Sequence, residues 1–105
     1  MPGENVVCEQ IGNVQLCGSV SNATPPQYST VTVYGRYLVN GEGQAGHAMI
    51  ATWHYRTTSP SCEGLTNPDG MAQCSRSIGR ASLDYQVNVD IEIDGYEVTT
   101  WFTPE

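Results

Sequence analysis

Four cysteines in a chain of 105 residues constrain the fold more strongly than any other feature of the sequence. They stand at Cys8, Cys17, Cys62 and Cys74, and no two of them have the C-x-x-C spacing. Zinc sites usually need such closely paired ligands, whereas cysteines in short exported chains usually form disulfides. The pattern therefore favours two disulfides over a metal site, and it indicates an oxidising compartment.

A hairpin near the N-terminus predicts how the cysteines pair. Gly12-Asn13 is a favourable two-residue hairpin loop. Counting outward from this loop places Cys8 opposite Cys17 at a non-hydrogen-bonded pair, where two side chains are close enough to bridge. We therefore predict the disulfides Cys8–Cys17 and Cys62–Cys74, and we expect the first of them on the outer side of its sheet.

The stretch Trp53–Cys74 is predicted to be the centre of the fold. It begins in a strand that ends in large aromatics, continues through a polar loop with Cys62, and turns at Asn67–Gly70. A disulfide between two strands beside a buried tryptophan is a common way to stabilise a small β-sandwich. We therefore expect Trp53 to be buried near the second disulfide.

Alternating apolar and polar residues predict strands along most of the remaining chain. Eleven glycines and six prolines, together with many Val, Thr and Tyr residues, favour strands and turns over helices. Besides the first hairpin, strands are predicted over 31–39, 48–55, 71–78, 86–93 and 96–103, the last two joined by Asp94-Gly95. The prediction is an all-β, immunoglobulin-like β-sandwich of about seven antiparallel strands with two disulfides.

The length fits one domain, which would cover residues 1–105. Within it, residues 6–20 form the N-terminal disulfide hairpin and residues 30–103 form the body of the sandwich. Two successive prolines interrupt sheet pairing in the connector between these parts.

The charge of the chain excludes several kinds of partner. Eleven carboxylates oppose four arginines and no lysine, so that the net charge is −7. Such a charge repels phosphate backbones and anionic lipids, and we expect no nucleic-acid partner. No apolar run approaches the ~18 residues of a membrane span, so we expect this segment to be soluble and not inserted in a membrane.

The cysteines predict an extracytoplasmic location, whether secreted, periplasmic or at the cell surface. Met1–Glu4 has neither the basic start nor the apolar stretch of a signal peptide. We therefore expect the chain to be a piece of a larger exported protein, with other domains of that protein among its partners.

The run from Val31 to Phe102 resembles the immunoglobulin-like modules of bacterial exported proteins, of the invasin type and the carboxypeptidase-regulatory-like type. The matching residues are Asn40-Gly41, Ala45-Gly46, Thr66-Asn67-x-Asp69-Gly70-x-Ala72 and Tyr85-x-Val87-x-Val89. The resemblance covers about two-thirds of the chain and concerns turns and core positions. It implies a non-catalytic role in spacing, adhesion or the accompaniment of an enzyme domain.

No catalytic residue is predicted. Only His47 and His54 have the chemistry of a general base, and on an extended strand they lie on opposite faces. The simpler interpretation of both is a half-exposed strand or turn residue. Transthyretin-like hydrolases are related sandwiches that act through a particular set of His and Arg residues, for which the sequence offers no convincing counterpart.

Carboxylates on the outward face of the last hairpin form a candidate metal site. Asp90, Glu92 and Glu97 share this face with Asp94, and like charges placed directly opposite each other destabilise a sheet. A weakly bound calcium ion would relieve the repulsion, although water and salt can also screen it. No other cofactor is predicted.

The same hairpin turns Trp101 outward beside Asn88. An outward tryptophan can stack on a sugar or anchor a protein interface, so these two residues form a candidate binding surface. The alternative is that a loop or a neighbouring domain covers the indole.

These features predict a non-catalytic accessory, adhesion or spacer module of an exported bacterial protein. A carbohydrate-binding module that uses Trp101 and nearby tyrosines is the first alternative, with a protein or glycan as ligand. A small hydrolase of the transthyretin-like type is the second.

Overall fold

Nine strands form two antiparallel sheets in the computed structural model, which describes all 105 residues. The strands are β1 (Glu4–Ile11), β2 (Val14–Val20), β3 (Thr30–Val39), β4 (Glu42–Gly43), β5 (Ala48–His54), β6 (Ser61–Leu65), β7 (Met71–Ser77), β8 (Val87–Ile93) and β9 (Tyr96–Phe102). One sheet has the order β1-β2-β3, with β4 and β7 both paired to β3, and the other has the order β6-β5-β8-β9. The predicted all-β sandwich is confirmed. No helix of the structure is long and apolar enough to cross a membrane.

The structure has two strands more than the sequence analysis predicts. The two-residue β4 closes the Asn40-Gly41 turn against β3, at the two adjacent positive-φ residues that such a turn requires. The other is β6, which pairs with β5 in a stretch predicted to be a loop. Its alternation is hard to recognise because its one large apolar residue, Leu65, is 69% exposed.

Both predicted disulfides are confirmed. Cys8 is aligned with Cys17 across β1 and β2, as the Gly12-Asn13 loop requires, with their Cα atoms 4.0 Å apart. Cys17 is buried on the side of the sheet where Arg36 lies, since a guanidinium nitrogen of Arg36 is 3.9 Å from its sulfur. The first bridge therefore lies outside the apolar core, as expected.

The second disulfide closes one lateral side of the sandwich. Cys62 belongs to β6 and Cys74 to β7, which are edge strands of different sheets, and their Cα atoms are 5.8 Å apart. Beside the bridge, Gly64 approaches the backbone of Gln73 so closely that any side chain at this position would collide with it. The two edge strands are therefore held in direct contact.

Hydrogen bonds from Asn5 close the opposite side, where the edge strands are β1 and β9. The side-chain amide of Asn5 donates to the carbonyl of Trp101 at 2.7 Å, and the hydroxyl of Thr100 donates to the carbonyl of Asn5 at 2.7 Å. Asn5 has a φ of 52°, and the register of β1 shifts between Glu4 and Val7. This bulge turns Asn5 toward the other sheet, so that the second pair of edges is also joined.

The apolar core lies between the sheets and is made of the alternating inward residues of both. Trp53 is fully buried, as predicted, and its ring packs against Tyr55 and Phe102 with ring centroids 6.4 and 5.6 Å apart. The register of the last hairpin also agrees with the prediction, because Asp94-Gly95 places Ile93 opposite Tyr96. Every inward residue of β8 is therefore buried.

The two ends of the sandwich differ. One end carries the hairpin loops around residues 12–13, 40–41 and 94–95. At the other end lie the connectors 21–29, 55–60 and 78–86, and the C-terminal segment meets two of them through backbone hydrogen bonds such as Asp84 N–H to Pro104 C=O and Thr103 N–H to Ala23 C=O. The end with the long connectors carries the candidate site described next.

Replacing Trp53 with alanine should lower the free energy of unfolding by about 3–5 kcal/mol, because the change empties the centre of the core. Urea unfolding monitored by circular dichroism measures the loss. The matched control is Trp101→Ala, which removes a half-buried indole and should cost clearly less. A loss below ~1 kcal/mol for Trp53→Ala would mean that the core does not depend on this residue.

Candidate functional site

The predicted binding surface around Trp101 is only partly available. Trp101 lies opposite Asn88 on the outer face of the four-stranded sheet, as predicted. Asn88 is exposed, but the indole of Trp101 is half-buried. A sugar or protein at this position would therefore cover less new apolar area than a free tryptophan offers, and the binding role of the two residues stays a prediction.

The acidic face of the last hairpin is arranged as predicted, with Glu92 directly opposite Glu97. The carboxylate of Asp90 already has partners, because it accepts a hydrogen bond from Thr99 at 2.7 Å and lies 2.7 Å from a ring nitrogen of His54. No three His, Cys, Asp or Glu side chains come together in a way that could hold a metal ion. The arrangement gives the calcium prediction no support.

The contact between His54 and Asp90 belongs to a polar network that the sequence analysis missed. The Nε2 atom of His54 is 2.7 Å from Asp90 Oδ2, and its Nδ1 atom is 3.3 Å from the hydroxyl of Ser59. This is the order of a nucleophile, a base and an orienting acid. His54 and Asp90 lie on an open sheet face with side chains 44% and 31% exposed, and Ser59 lies on the adjacent connector. None of the three lines a pocket. The network attaches the 55–60 connector to the sheet.

The second histidine lies at the opposite end of the molecule. His47 Nδ1 is 2.6 Å from a carboxylate oxygen of Asp94, and its ring packs edge-on against Tyr37. Burial raises the pKa of Tyr37, and the nearby Asp94 carboxylate raises it further. The two histidines thus have separate carboxylate partners and do not share one site, in agreement with the prediction from strand geometry.

The concave surface with the richest lining is a pocket of about 360 Å³ between the 55–60 and 77–85 segments. It is of the size usual for small-molecule sites, which start at about 300 Å³. A second groove of about 430 Å³ runs between β1 and β9 and has only six lining residues, two of them glutamates. The pocket is therefore the better candidate for a ligand site.

Three of the four arginines of the chain line this pocket, namely Arg56, Arg76 and Arg80. All three side chains are exposed, and none forms an ion pair with any of the eleven carboxylates, since both ion pairs of the structure belong to histidines. Arg76 donates a hydrogen bond to the carbonyl of Ser61 at 3.1 Å, which orients it. The arrangement concentrates positive charge at one place on an acidic molecule.

Guanidinium groups suit the binding of small anions. The planar fork of an arginine matches the two oxygens of a carboxylate or a phosphate, and it holds its charge at any physiological pH. Three such groups around one concavity could therefore hold an anionic ligand by charge-assisted hydrogen bonds. No acidic residue lines the pocket to oppose it.

Hydroxyl groups and aromatic rings complete the lining. Thr57, Thr58, Ser77 and Ser82 contribute hydroxyls to the wall, while Tyr55 and Tyr85 contribute rings. The hydroxyl oxygen of Tyr55 is buried and has no hydrogen-bond partner. Burial raises the pKa of this phenol, and the positive charge of Arg76 partly opposes the shift.

The local sequence explains how the 77–85 wall is built. Ile78 and Ala81 are buried and anchor the segment to the core end, so that Arg80 between them faces outward. Gly79 turns the chain with a φ of 54°, and its carbonyl accepts a hydrogen bond from the backbone N–H of Tyr28 at 2.8 Å. After Ser77, where β7 ends, the segment contains neither a helix nor a strand.

The second disulfide positions the two walls relative to each other. Cys62 lies two residues after Pro60, and Cys74 lies two residues before Arg76, so the bridge joins the strands that leave the pocket on either side. The hydrogen bond from Arg76 to Ser61 adds a contact beside the bridge. The covalent link therefore fixes the width of the pocket.

No arginine stands out in the sequence, because positive charge enters the predictions only as a sum. Arg56 and Arg80 are far apart in sequence, and they meet because β5 and β7 both end at the same end of the sandwich. The predicted strands already place the residues that follow β5 and β7 at this end. Placing the charged residues on that arrangement would have shown that the arginines lie together.

Comparison of the chain with protein-family models finds no match, and comparison with curated proteins finds none. The assignment of the candidate site therefore rests on its geometry. The resemblance to bacterial immunoglobulin-like modules stays a prediction.

Replacing Tyr55 with phenylalanine should leave stability at neutral pH unchanged or raise it by up to about 1 kcal/mol, because a buried hydroxyl without a partner costs free energy. The pKa of Tyr55 is raised above 10.0 in the folded state, so ionisation of this phenol favours unfolding. The stability that comes from keeping the phenol protonated is fully present below pH 10.0 and is lost as pH rises through the folded pKa. Stability of the wild-type chain should therefore fall in alkaline solution, and Tyr55→Phe should reduce the fall.

Urea unfolding at neutral and alkaline pH measures both effects. Tyr37→Phe is the matched control, since it removes a phenol that interacts with Asp94 and should destabilise at neutral pH. A clear loss for Tyr55→Phe at neutral pH would show that its hydroxyl has a stabilising partner, contrary to the structure.

Proposed function

We propose that this chain is a non-catalytic, immunoglobulin-like accessory or adhesion module of an exported bacterial protein, and that its arginine pocket binds an anionic ligand. The observation that carries the proposal is the placement of the arginines. Three of four line one concavity and none pairs with a carboxylate, although eleven carboxylates are present. Arginines that only offset the acidic charge would be expected beside it, since pairing is the favourable arrangement.

Two disulfides support the exported location, because such bridges form and persist in oxidising compartments outside the cytoplasm. Both lateral sides of the sandwich are closed, one by a disulfide and the other by Asn5. Closed edges reduce the risk of unwanted strand pairing with other chains, which suits a domain exposed at a cell surface.

The lining of the pocket supports a binding role without catalysis. It contains serine and threonine hydroxyls, but no histidine or carboxylate that could act as a base toward them. The arginines would therefore hold a ligand and would not activate a nucleophile.

A small hydrolase is the second candidate, favoured by the Ser59–His54–Asp90 network. Catalysis would also need donors for an oxyanion and a site that excludes water around the substrate. A fluorophosphonate probe tests this alternative, because covalent labelling of Ser59 that is lost in His54→Ala would support a hydrolase.

Titration of the isotopically labelled chain with sulfate or citrate at constant ionic strength should change amide chemical shifts within 55–60 and 76–85. Arg80→Gln and Arg56→Gln should each weaken the binding about five- to tenfold, the loss of one exposed charge contact of ~1 kcal/mol. Both side chains are exposed, so the variants should fold.

Arg36→Gln is the matched control, because it removes the same charge from the arginine that lies outside the pocket. Equal weakening by Arg36→Gln would mean that only the net charge matters. Shift changes spread over both sheets would also contradict a defined site.

A further inference from the structure

We propose that the ligand of the arginine pocket is an acidic sugar, a uronic acid residue at the end of an oligosaccharide, held by its carboxylate. This inference rests on the proposed function and names the ligand of the same site. It follows from the charge of the whole molecule and from the groups that surround the arginines.

The net charge disfavours ligands that carry many negative charges. A chain with a charge of −7 repels a nucleic acid, a polyphosphate or an anionic lipid surface over its whole extent. A ligand whose charge is confined to one carboxylate meets only the local field of Arg56, Arg76 and Arg80. The rest of such a ligand should be neutral.

The rest of the lining suits a neutral, hydroxyl-rich body. Thr57, Thr58, Ser77 and Ser82 bring four side-chain hydroxyls to the wall, and each can donate or accept a hydrogen bond. Sugar hydroxyls have the same double capacity, whereas an aliphatic carboxylic acid would leave these groups to water. The pocket thus offers partners to both parts of a uronic acid.

Aromatic residues provide the apolar contact that a sugar ring also needs. Tyr85 lines the pocket and is 37% exposed, so its ring can receive the C–H face of a sugar. Tyr55 lies deeper, and its hydroxyl has no partner. A ligand oxygen that reached this hydroxyl would supply the missing hydrogen bond.

The test is calorimetric titration of the 105-residue chain at matched ionic strength with a galactose oligomer that ends in a single galacturonic acid residue (the uronic acid oligomer). The comparison ligands are a galactose oligomer of the same length, a short neutral peptide with a free C-terminal carboxylate, acetate, and inorganic sulfate. The uronic acid oligomer should bind about tenfold or more tightly than acetate, and the neutral oligomer should not bind measurably. Arg80→Gln should weaken the uronic acid about five- to tenfold, and Arg36→Gln should not.

The variant Tyr85→Ala distinguishes the binding of the sugar ring from the binding of the carboxylate. It should reduce the affinity for the uronic acid oligomer severalfold while leaving the weak binding of acetate unchanged, because only the sugar ring uses the aromatic face. The ring of Tyr85 is not part of the buried core, so this variant should fold.

Each other outcome has a definite meaning. If sulfate or acetate binds as tightly as the uronic acid, the acidic-sugar inference is overturned while the proposed anion site stands. If a peptide with a free C-terminal carboxylate binds more tightly than the uronic acid, the ligand class is wrong. Equal binding of the neutral oligomer would overturn recognition through the carboxylate, and binding of no anion at all would remove the proposed function as well.

Discussion

The covalent bond between Cys62 and Cys74 is the constraint on which the rest of the structure depends. It joins an edge strand of one sheet to an edge strand of the other, and thereby sets the distance between the sheets beside the buried ring of Trp53. On the far side, Asn5 joins the other two edges through hydrogen bonds alone. The first disulfide has a different role, because it lies within a hairpin that backbone hydrogen bonds already hold together.

The same bond connects the fold to the candidate site. The strands that it joins lead directly into the two walls of the pocket, where Arg56 stands on one side and Arg76 and Arg80 on the other. Because the three guanidinium groups are exposed, their placement costs little in desolvation. Their repulsion is screened by water, and they contribute little to stability. Because these three charges have little influence on folding, they are available to bind a ligand.

Local chemistry made much of the fold predictable. Two-residue turns such as Gly12-Asn13 and Asp94-Gly95 set the register of their hairpins, and strict alternation then determines which side chains face the core. The same local rules predict the pairing of the cysteines and the burial of Trp53. They do not predict β6, because this edge strand exposes its apolar residue Leu65 and so lacks a recognisable alternation. The binding role predicted for Trp101 is weakened by its partial burial. Local alternation determines that its side chain points outward, but it does not determine how much of the side chain the rest of the fold covers.

The sequence by itself thus determined the strand class, the two hairpin registers and the disulfides, since each depends on residues close together in the chain. Only the tertiary structure decided which connectors meet. Arg56 joins Arg80 at one pocket because β5 and β7, which belong to different sheets, end at the same end of the sandwich. Ser59 and His54 join Asp90 because β5 pairs with β8. Alternation along a strand carries no information about which distant strand lies next to it. The candidate site is made of contacts of that kind, and for this reason it became visible only in the folded chain.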